Sequence, residues 1–300
     1  MTASVAERPT APRSPATAPG RPERAGLRPA RLAVLLVAAV AFLFPFYYMI
    51  VGSLQKTPDS TIAGAVPHPS NTTGADYSQI DSAIHLGRSL LNSGIFTIGV
   101  LLCTLVFGLM AGYALARLRF AGRSSLLTSL ILVQAVPFQL LVLPLYVLIV
   151  RDYGLGDNYL GMILPFAINS TAVFVFRQFF VQIPAEMFEQ ARIDGAGELT
   201  VLWRIAIPVA RPAILTGVLL TFIGPWNEFL WPFLVTKDQN MEPLAVSLAN
   251  FTSNLQATLV ANPTGGIMAA AVILAIPAVV LFLVFQRHFT STHIDAGVKG

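Results

Sequence analysis

The sequence predicts an all-α integral membrane protein with six transmembrane helices, and three observations predict it. Hydrophobic residues make up 55% of the 300-residue chain and charged ones only 11%, with a mean hydropathy of +0.68; soluble domains carry about 25% charged residues. The apolar residues are gathered in blocks, the mark of lipid-facing helices rather than of one buried core. No block alternates with the period of two that a barrel strand requires, which excludes an all-β barrel.

Uninterrupted apolar runs cover Leu32–Val51, Ser89–Leu115, Leu126–Val150, Tyr159–Phe176, Pro212–Val235 and Ile267–Phe285. Each is long enough, at about 1.5 Å per residue, to cross a hydrocarbon core of about 30 Å. Backbone groups in lipid must be satisfied within the segment, so these runs are helices. Pro45, Pro137, Pro144, Pro165 and Pro277 each remove a backbone donor and permit kinks. Ahead of the first run, residues 1–30 are rich in Arg, Ala and Pro. That stretch is too long and polar for a signal-peptide n-region, and with little apolar mass it is expected to be a disordered tail before a membrane domain of residues 31–300. Cys103 is the single cysteine, so no intramolecular disulfide and no cysteine metal cluster can form.

The formal charge of +4 could suggest nucleic acid, but in a membrane protein the placement of Lys and Arg is what matters. Fifteen of the nineteen fall in the N-terminal tail, the second-to-third connection, the fourth-to-fifth connection and the C-terminus. Only Lys56, Arg88, Arg151 and Lys237 fall on the other side. The positive-inside rule then puts both termini in the cytoplasm, makes 54–88 and 236–266 external, and leaves 177–211 as the one long internal loop. No nucleic-acid partner is expected.

That loop is polar and carries two helical patterns. Pro184 suits a first helical turn, Glu186 and Glu189 favour the N-terminal end of the helix dipole, and Gly195 is a natural stop after Asp194. A second pattern runs from Glu198 to Ile207 and ends at Pro208, the two being joined by an elbow at Ala196-Gly197. Phe188 and Ala191 share a face and form a small apolar patch of the kind that enters a groove on another protein. The plainer reading is a connector whose helices lie along the headgroups.

Glu189, Ala191, Asp194, Gly195, Ala196 and Pro208 match the EAA loop of ABC-importer permeases, with Gln190 where alanine is usual. The chain as a whole resembles carbohydrate-importer permeases of the maltose-transporter type. That resemblance rests on Asn92, Ala111-Gly112-Tyr113-Ala114-Leu115-Ala116-Arg117, Leu143-Pro144-Leu145-Tyr146, Gly161-Met162-Ile163-Leu164-Pro165, Trp226-Asn227-Glu228-Phe229 and Gln286-Arg287. It covers roughly residues 30 to 300, including Val298-Lys299-Gly300, and departs at Thr292, His293 and Asp295. The resemblance implies the type I importer permease fold in a bacterial inner membrane. It also implies a second homologous permease, a dimer of ATPase subunits docked on the loop, and an extracytoplasmic binding protein that delivers a sugar. ATP and magnesium would be bound by the ATPase, and this chain would hold no cofactor.

Polar residues within the spans are candidates for the path. Glu228 is the one charged residue well inside a span. It is either a wall of the path or a carboxylate that reaches headgroup water, and Trp226 and Trp231 beside it favour the interface. Asn92, Gln134, Gln139, Asn169 and Asn227 offer neutral donors and acceptors suited to sugar hydroxyls, or else bond neighbouring helices. No G-x-x-x-x-G-K-[ST], H-E-x-x-H or G-x-S-x-G occurs, and the four histidines are scattered, so neither an enzyme nor a metal site is expected. Importers of other solutes, such as a glycerophosphodiester, and a self-contained secondary carrier using Glu228 remain the alternatives.

Overall fold

The computed structural model describes residues 29–59, 61–253 and 262–291. Residues 1–28 of the expected tail lie outside the described residues, as do Thr292, His293, Asp295 and Val298-Lys299-Gly300. The chain divides into one unit ending at Phe46 and another running from Tyr47. Three helices are continuous and apolar enough to cross a membrane: α1 (Pro29–Gly52), the long α3 (Leu86–Arg117), and α14 (Pro263–Ser291) over its stretch to Gln286. Pro45 and Pro277 lie inside α1 and α14 without ending them.

Three further helix pairs are broken by bends, six spans in all by length and composition if each pair counts as one; the expected span Pro212–Val235 is itself interrupted at Glu228-Phe229. α4 (Arg123–Val133) meets α5 (Phe138–Tyr146, continued by a π-turn at Val147–Asp152) at 99°. Pro137 accounts for this break, because it has no N–H and disfavours helical backbone at Val136. α6 (Tyr159–Ile163, followed by a 3-10 turn at Leu164–Phe166) meets α7 (Ser170–Gln182) at 50°. Asn169 caps α7 by accepting the Ala172 N–H at 3.0 Å. α7 runs on to Gln182, beyond the expected end at Phe176, so the loop after it begins at Ile183 rather than Arg177.

α8 (Ala185–Ile193) is followed by a rod made of α9 (Glu198–Val201), a π-turn at Leu202–Ala206 and α10 (Ile207–Val209). The rod meets α11 (Arg211–Asn227) at 82°. Pro208 does not end the rod as expected. The Ile207 N–H bonds back to the Leu202 carbonyl, and this wider π-turn makes room where the proline ring would crowd the preceding turn. α11 stops at Asn227 and α12 (Leu230–Val235) resumes beyond Glu228-Phe229. At the opposite end from the α8–α10 loop, α2 (Ala75–Ile84) and α13 (Leu244–Ser253) pack into a cap with α3 and α14. Among the described residues the only strand-like pairing is an isolated bridge between Gln55 and Thr72.

The centre is where α3, α7 and α11 meet. Phe176 of α7 is fully buried, and it faces Gly108 and Gly112 of α3 and Gly217 of α11. A Cβ at Gly112 would lie 2.9 Å from the Phe176 Cβ, and one at Gly217 would lie 2.6 Å from its Cε1. Lipid tails are as apolar as leucine, so helices in a membrane associate through close packing, and glycines four apart allow it. Trp226 and Trp231, expected beside Glu228 at the interface, are both buried within the protein, their indole N–H groups donating to Leu274 O at 2.8 Å and Gly161 O at 3.0 Å. A buried indole is held where it finds such an acceptor.

Gly217→Leu is therefore expected to drive a side chain into the Phe176 ring and destabilise by about 1–3 kcal/mol. Gly224→Ala, with nothing within 4 Å of the added carbon, is the control expected to be tolerated. Thermal unfolding of the two variants in detergent checks this.

Candidate coupling and translocation sites

Local chemistry shapes the α8 loop. Pro184 stands at the N-cap position, one residue before the expected first turn and without a side-chain cap bond, Glu186 lies in the first turn and Arg192 in the last. Gly195 takes φ +87°, its N–H bonding Arg192 O at 3.0 Å while the Ala196 N–H bonds Ala191 O at 2.9 Å. This pair of bonds is the Schellman arrangement, and a left-handed residue there favours glycine. Glu186, Glu189, Asp194 and Pro208 are exposed and Ala196 is half-buried.

Phe188 and Ala191 face inward, contrary to the expectation that they form a patch for a partner. Phe188 is 1% exposed and packs with Tyr113, Phe180, Val201 and Leu202. The apolar face of α8 is thus spent on the chain's own core, which removes it from water without a partner. The outward apolar side chains around the elbow are Ile193, 84% exposed, Leu199 and Trp203.

The last turns of α3 hold this loop. The Tyr113 hydroxyl donates to Glu198 Oε2 at 2.6 Å, and Arg192 Nε donates to Glu198 Oε1 at 2.8 Å. Arg117 stacks over the Phe188 ring at 4.4 Å and donates to the carbonyls of Phe180 and Ile183 at the end of α7. Arg123 donates back to Leu115, Ala116 and Leu118 O, closing the carbonyl end of α3. The hydrogen bond from Arg192 holds the Glu198 carboxyl below the usual carboxylate range against the opposing effect of burial. A polar cavity of ≈ 560 Å³ opens beside this network, lined by Arg117, Arg119, Arg123, Glu189, Arg192 and Glu198 among others. Tyr113, Arg192 and Glu198 carried no functional signal of their own in the sequence. Tyr113 and Arg117 stood only inside the Ala111–Arg117 motif, and the spacing of Arg192 and Glu198 spans the elbow, so no single helix pairs them.

A second cavity, of ≈ 270 Å³, forms where the broken spans meet. Gln134 comes from the α4–α5 break, Asn169 from the α6–α7 break and Glu228 from the α11–α12 break, joined by Thr171 and Thr221. Glu228 Oε1 accepts the backbone N–H of Trp231 at 3.2 Å, and Gln134 Oε1 accepts the Thr171 hydroxyl at 2.9 Å. Thr221 Oγ1 is buried without a hydrogen-bond partner. Among the described residues no Lys or Arg lines the cavity.

Three path candidates do not join it. Gln139 and Asn227 are exposed elsewhere, the Asn227 amide bonding back to Ile223 O at 3.0 Å. Asn92 is fully buried at the cap end. It donates to Asn240 O and Glu242 O and accepts the Tyr159 hydroxyl at 2.7 Å, so its polar capacity serves to fasten α3 to the cap.

Long apolar helices, a polar loop helix tied to a central span and a polar cavity at helix breaks define a membrane permease. Comparison with known proteins identifies its kind. The chain belongs to the family of binding-protein-dependent transport system inner membrane components, whose family model matches residues 104–292. It is similar to the arabinooligosaccharides transport system permease protein of Bacillus subtilis (strain 168), 29% identical over 88% of this chain and 93% of that one. It is also similar to the sn-glycerol-3-phosphate transport system permease protein of Rhizobium meliloti (strain 1021), 30% identical over 87% and 94%. Its fold matches that of a bacterial ABC transporter involved in the import of the acidic polysaccharide alginate, with a TM-score of 0.75 and 25% identity over 87% of this chain and 95% of that one. The chain is thus a permease of the ABC importer class.

Two outcomes follow from the geometry. A β-branched residue at Gly195 has to take a backbone conformation costing about 1–3 kcal/mol, so Gly195→Val is expected to open the 185–209 segment to protease, while Gly197→Ala, with open space around it, leaves it protected. At the cap, burial raises the Glu242 carboxyl above its ordinary range. The folded chain then holds that proton more tightly than the unfolded one, so stability is fullest below about pH 4.3 and falls as pH rises through the raised value. Glu242→Gln, which keeps the Oε1 acceptor for Asn250, is expected to raise the melting temperature at about pH 8 and to lose that advantage near pH 4.

Proposed function

We propose that this chain is one of two membrane-spanning subunits of an ATP-driven importer for a neutral sugar or oligosaccharide. The observation that carries the reading is the cavity of Gln134, Asn169, Thr171, Thr221 and Glu228 at the meeting of three helix breaks. Non-helical backbone at membrane depth is tolerated where it lines a cavity, and amides and hydroxyls are the partners sugar hydroxyls need. A lining with a carboxylate and no cation suits a neutral solute better than a phosphate or uronate.

The Lys and Arg distribution supports a cytoplasmic α8 loop and cytoplasmic termini. A dimeric ATPase docks there on the exposed side of α8 and the elbow, with Ile193, Leu199 and Trp203 as apolar anchors beside Glu186 and Glu189. ATP and magnesium belong to that subunit. A second permease completes the path, and an extracytoplasmic binding protein delivers the solute to the cap end. The name of the relative from Rhizobium meliloti favours a second reading, a phosphate-bearing solute whose charge is met by the other permease.

The test is purification of the tagged chain from its native membrane in mild detergent, with mass spectrometry of its partners. Recovery of an ATPase and a second permease, followed by uptake of sugar but not glycerol phosphate in proteoliposomes, is the expected result. A chain recovered alone that still moves solute would overturn the reading. Ile193→Asp is expected to lose the ATPase by at least about tenfold, the worth of roughly 1.4 kcal/mol, while retaining the second permease.

A further inference from the structure

The α8 loop is covalently continuous with α7 and α11, yet its side-chain ties run largely to α3, a helix some seventy residues earlier in the chain. Both halves of the elbow are tied. α8 is held through Phe188, beneath Arg117 at 4.4 Å and 6.2 Å from the Tyr113 ring. The start of α9 is held through Glu198, which accepts from Tyr113 at 2.6 Å and from Arg192 at 2.8 Å. Beyond Gly195 and Gly197 the connection would otherwise flex, and the carboxylate of Glu198 is the group that closes it. Tyr113 and Val100 lie on the same continuous helix, and Val100 lines the ≈ 270 Å³ cavity. About thirteen residues at about 1.5 Å each separate them, roughly 20 Å of unbroken rod.

We infer that Tyr113 and Glu198 are positioning residues that lock the ATPase-docking loop to α3, so that loop and central span move as one body and deliver the ATPase's motion to the cavity. Without the lock, a push on α8 is absorbed at the elbow. The inference rests on the importer reading and adds to it the route by which force leaves the loop. Coupling energies between distant sites are commonly worth about 5–150-fold, so loss of the lock shows as a matching fall in solute moved per ATP hydrolysed.

The experiment uses the whole complex, with both permeases, the ATPase and the binding protein, in proteoliposomes, and reads solute uptake and ATP hydrolysis together. Tyr113→Phe and Glu198→Gln are each expected to lower the uptake-to-hydrolysis ratio by at least about fivefold while the complex still elutes intact. A purely structural role would lower assembly and leave the ratio of the assembled fraction unchanged, which would overturn the inference. A Tyr113→Cys, Glu198→Cys pair, made with Cys103→Ser and bridged by a short bismaleimide, is expected to recover the ratio. Loss of uptake on bridging would instead mean that the contact must open during the cycle, and would also overturn it. Wild-type complex with no solute-stimulated hydrolysis would sink the importer reading and this inference with it; coupled wild type beside coupled variants would sink the inference alone.

Discussion

The seating of Phe176 against Gly108, Gly112 and Gly217 is the contact on which the rest of the molecule depends. It brings α3, α7 and α11 closer than any side chain larger than hydrogen would permit, at a place where water offers no drive for helices to associate. Because the fit is one of shape, α3 cannot shift far without carrying its two neighbours. The same helix is pinned at its ends by different chemistry. Asn92 and Ser93 bond the backbone of the cap, and Tyr113 and Arg117 bond the loop and the end of α7.

Around that rigid centre the irregular backbone is concentrated where polar groups can be used. The breaks at Gln134–Pro137, Pro165–Asn169 and Glu228-Phe229 each free backbone groups that lipid would not satisfy. Asn169 answers one by capping α7 and Glu228 another by accepting from Trp231. These side chains thus help to make the breaks possible and line the cavity as well. In the same wall Thr171 bonds Gln134, whereas the Thr221 hydroxyl is buried without a partner.

Charge is handled differently at the loop. Arg117 and Arg123 spend their guanidinium donors on carbonyls at the ends of α7 and α3, where the helix dipole is negative. Arg192 is neutralised by Glu198 across the elbow. Arg117, Arg123 and Arg192, which the positive-inside rule marks only as basic, are in three dimensions each assigned to particular acceptors.

The sequence by itself determined that the chain is helical and membrane-embedded, because block hydropathy and charge depletion are properties of segments and need no knowledge of neighbours. It also determined the end of α8 at Gly195, since a left-handed C-terminal cap is a local requirement. It named Gln134, Asn169 and Glu228 as path candidates, yet it equally named Asn92, Gln139 and Asn227. Only the tertiary structure separated them, by carrying Asn92 into the cap and leaving the other two outside the cavity. Tertiary structure likewise decided that Pro137 breaks a span while Pro45 and Pro277 do not, and that Phe188 turns inward beneath Arg117. The reason is common to all of these: periodicity and turn chemistry are short-range, whereas which face is covered, which donor is satisfied and which kink is used depend on residues far away in the chain.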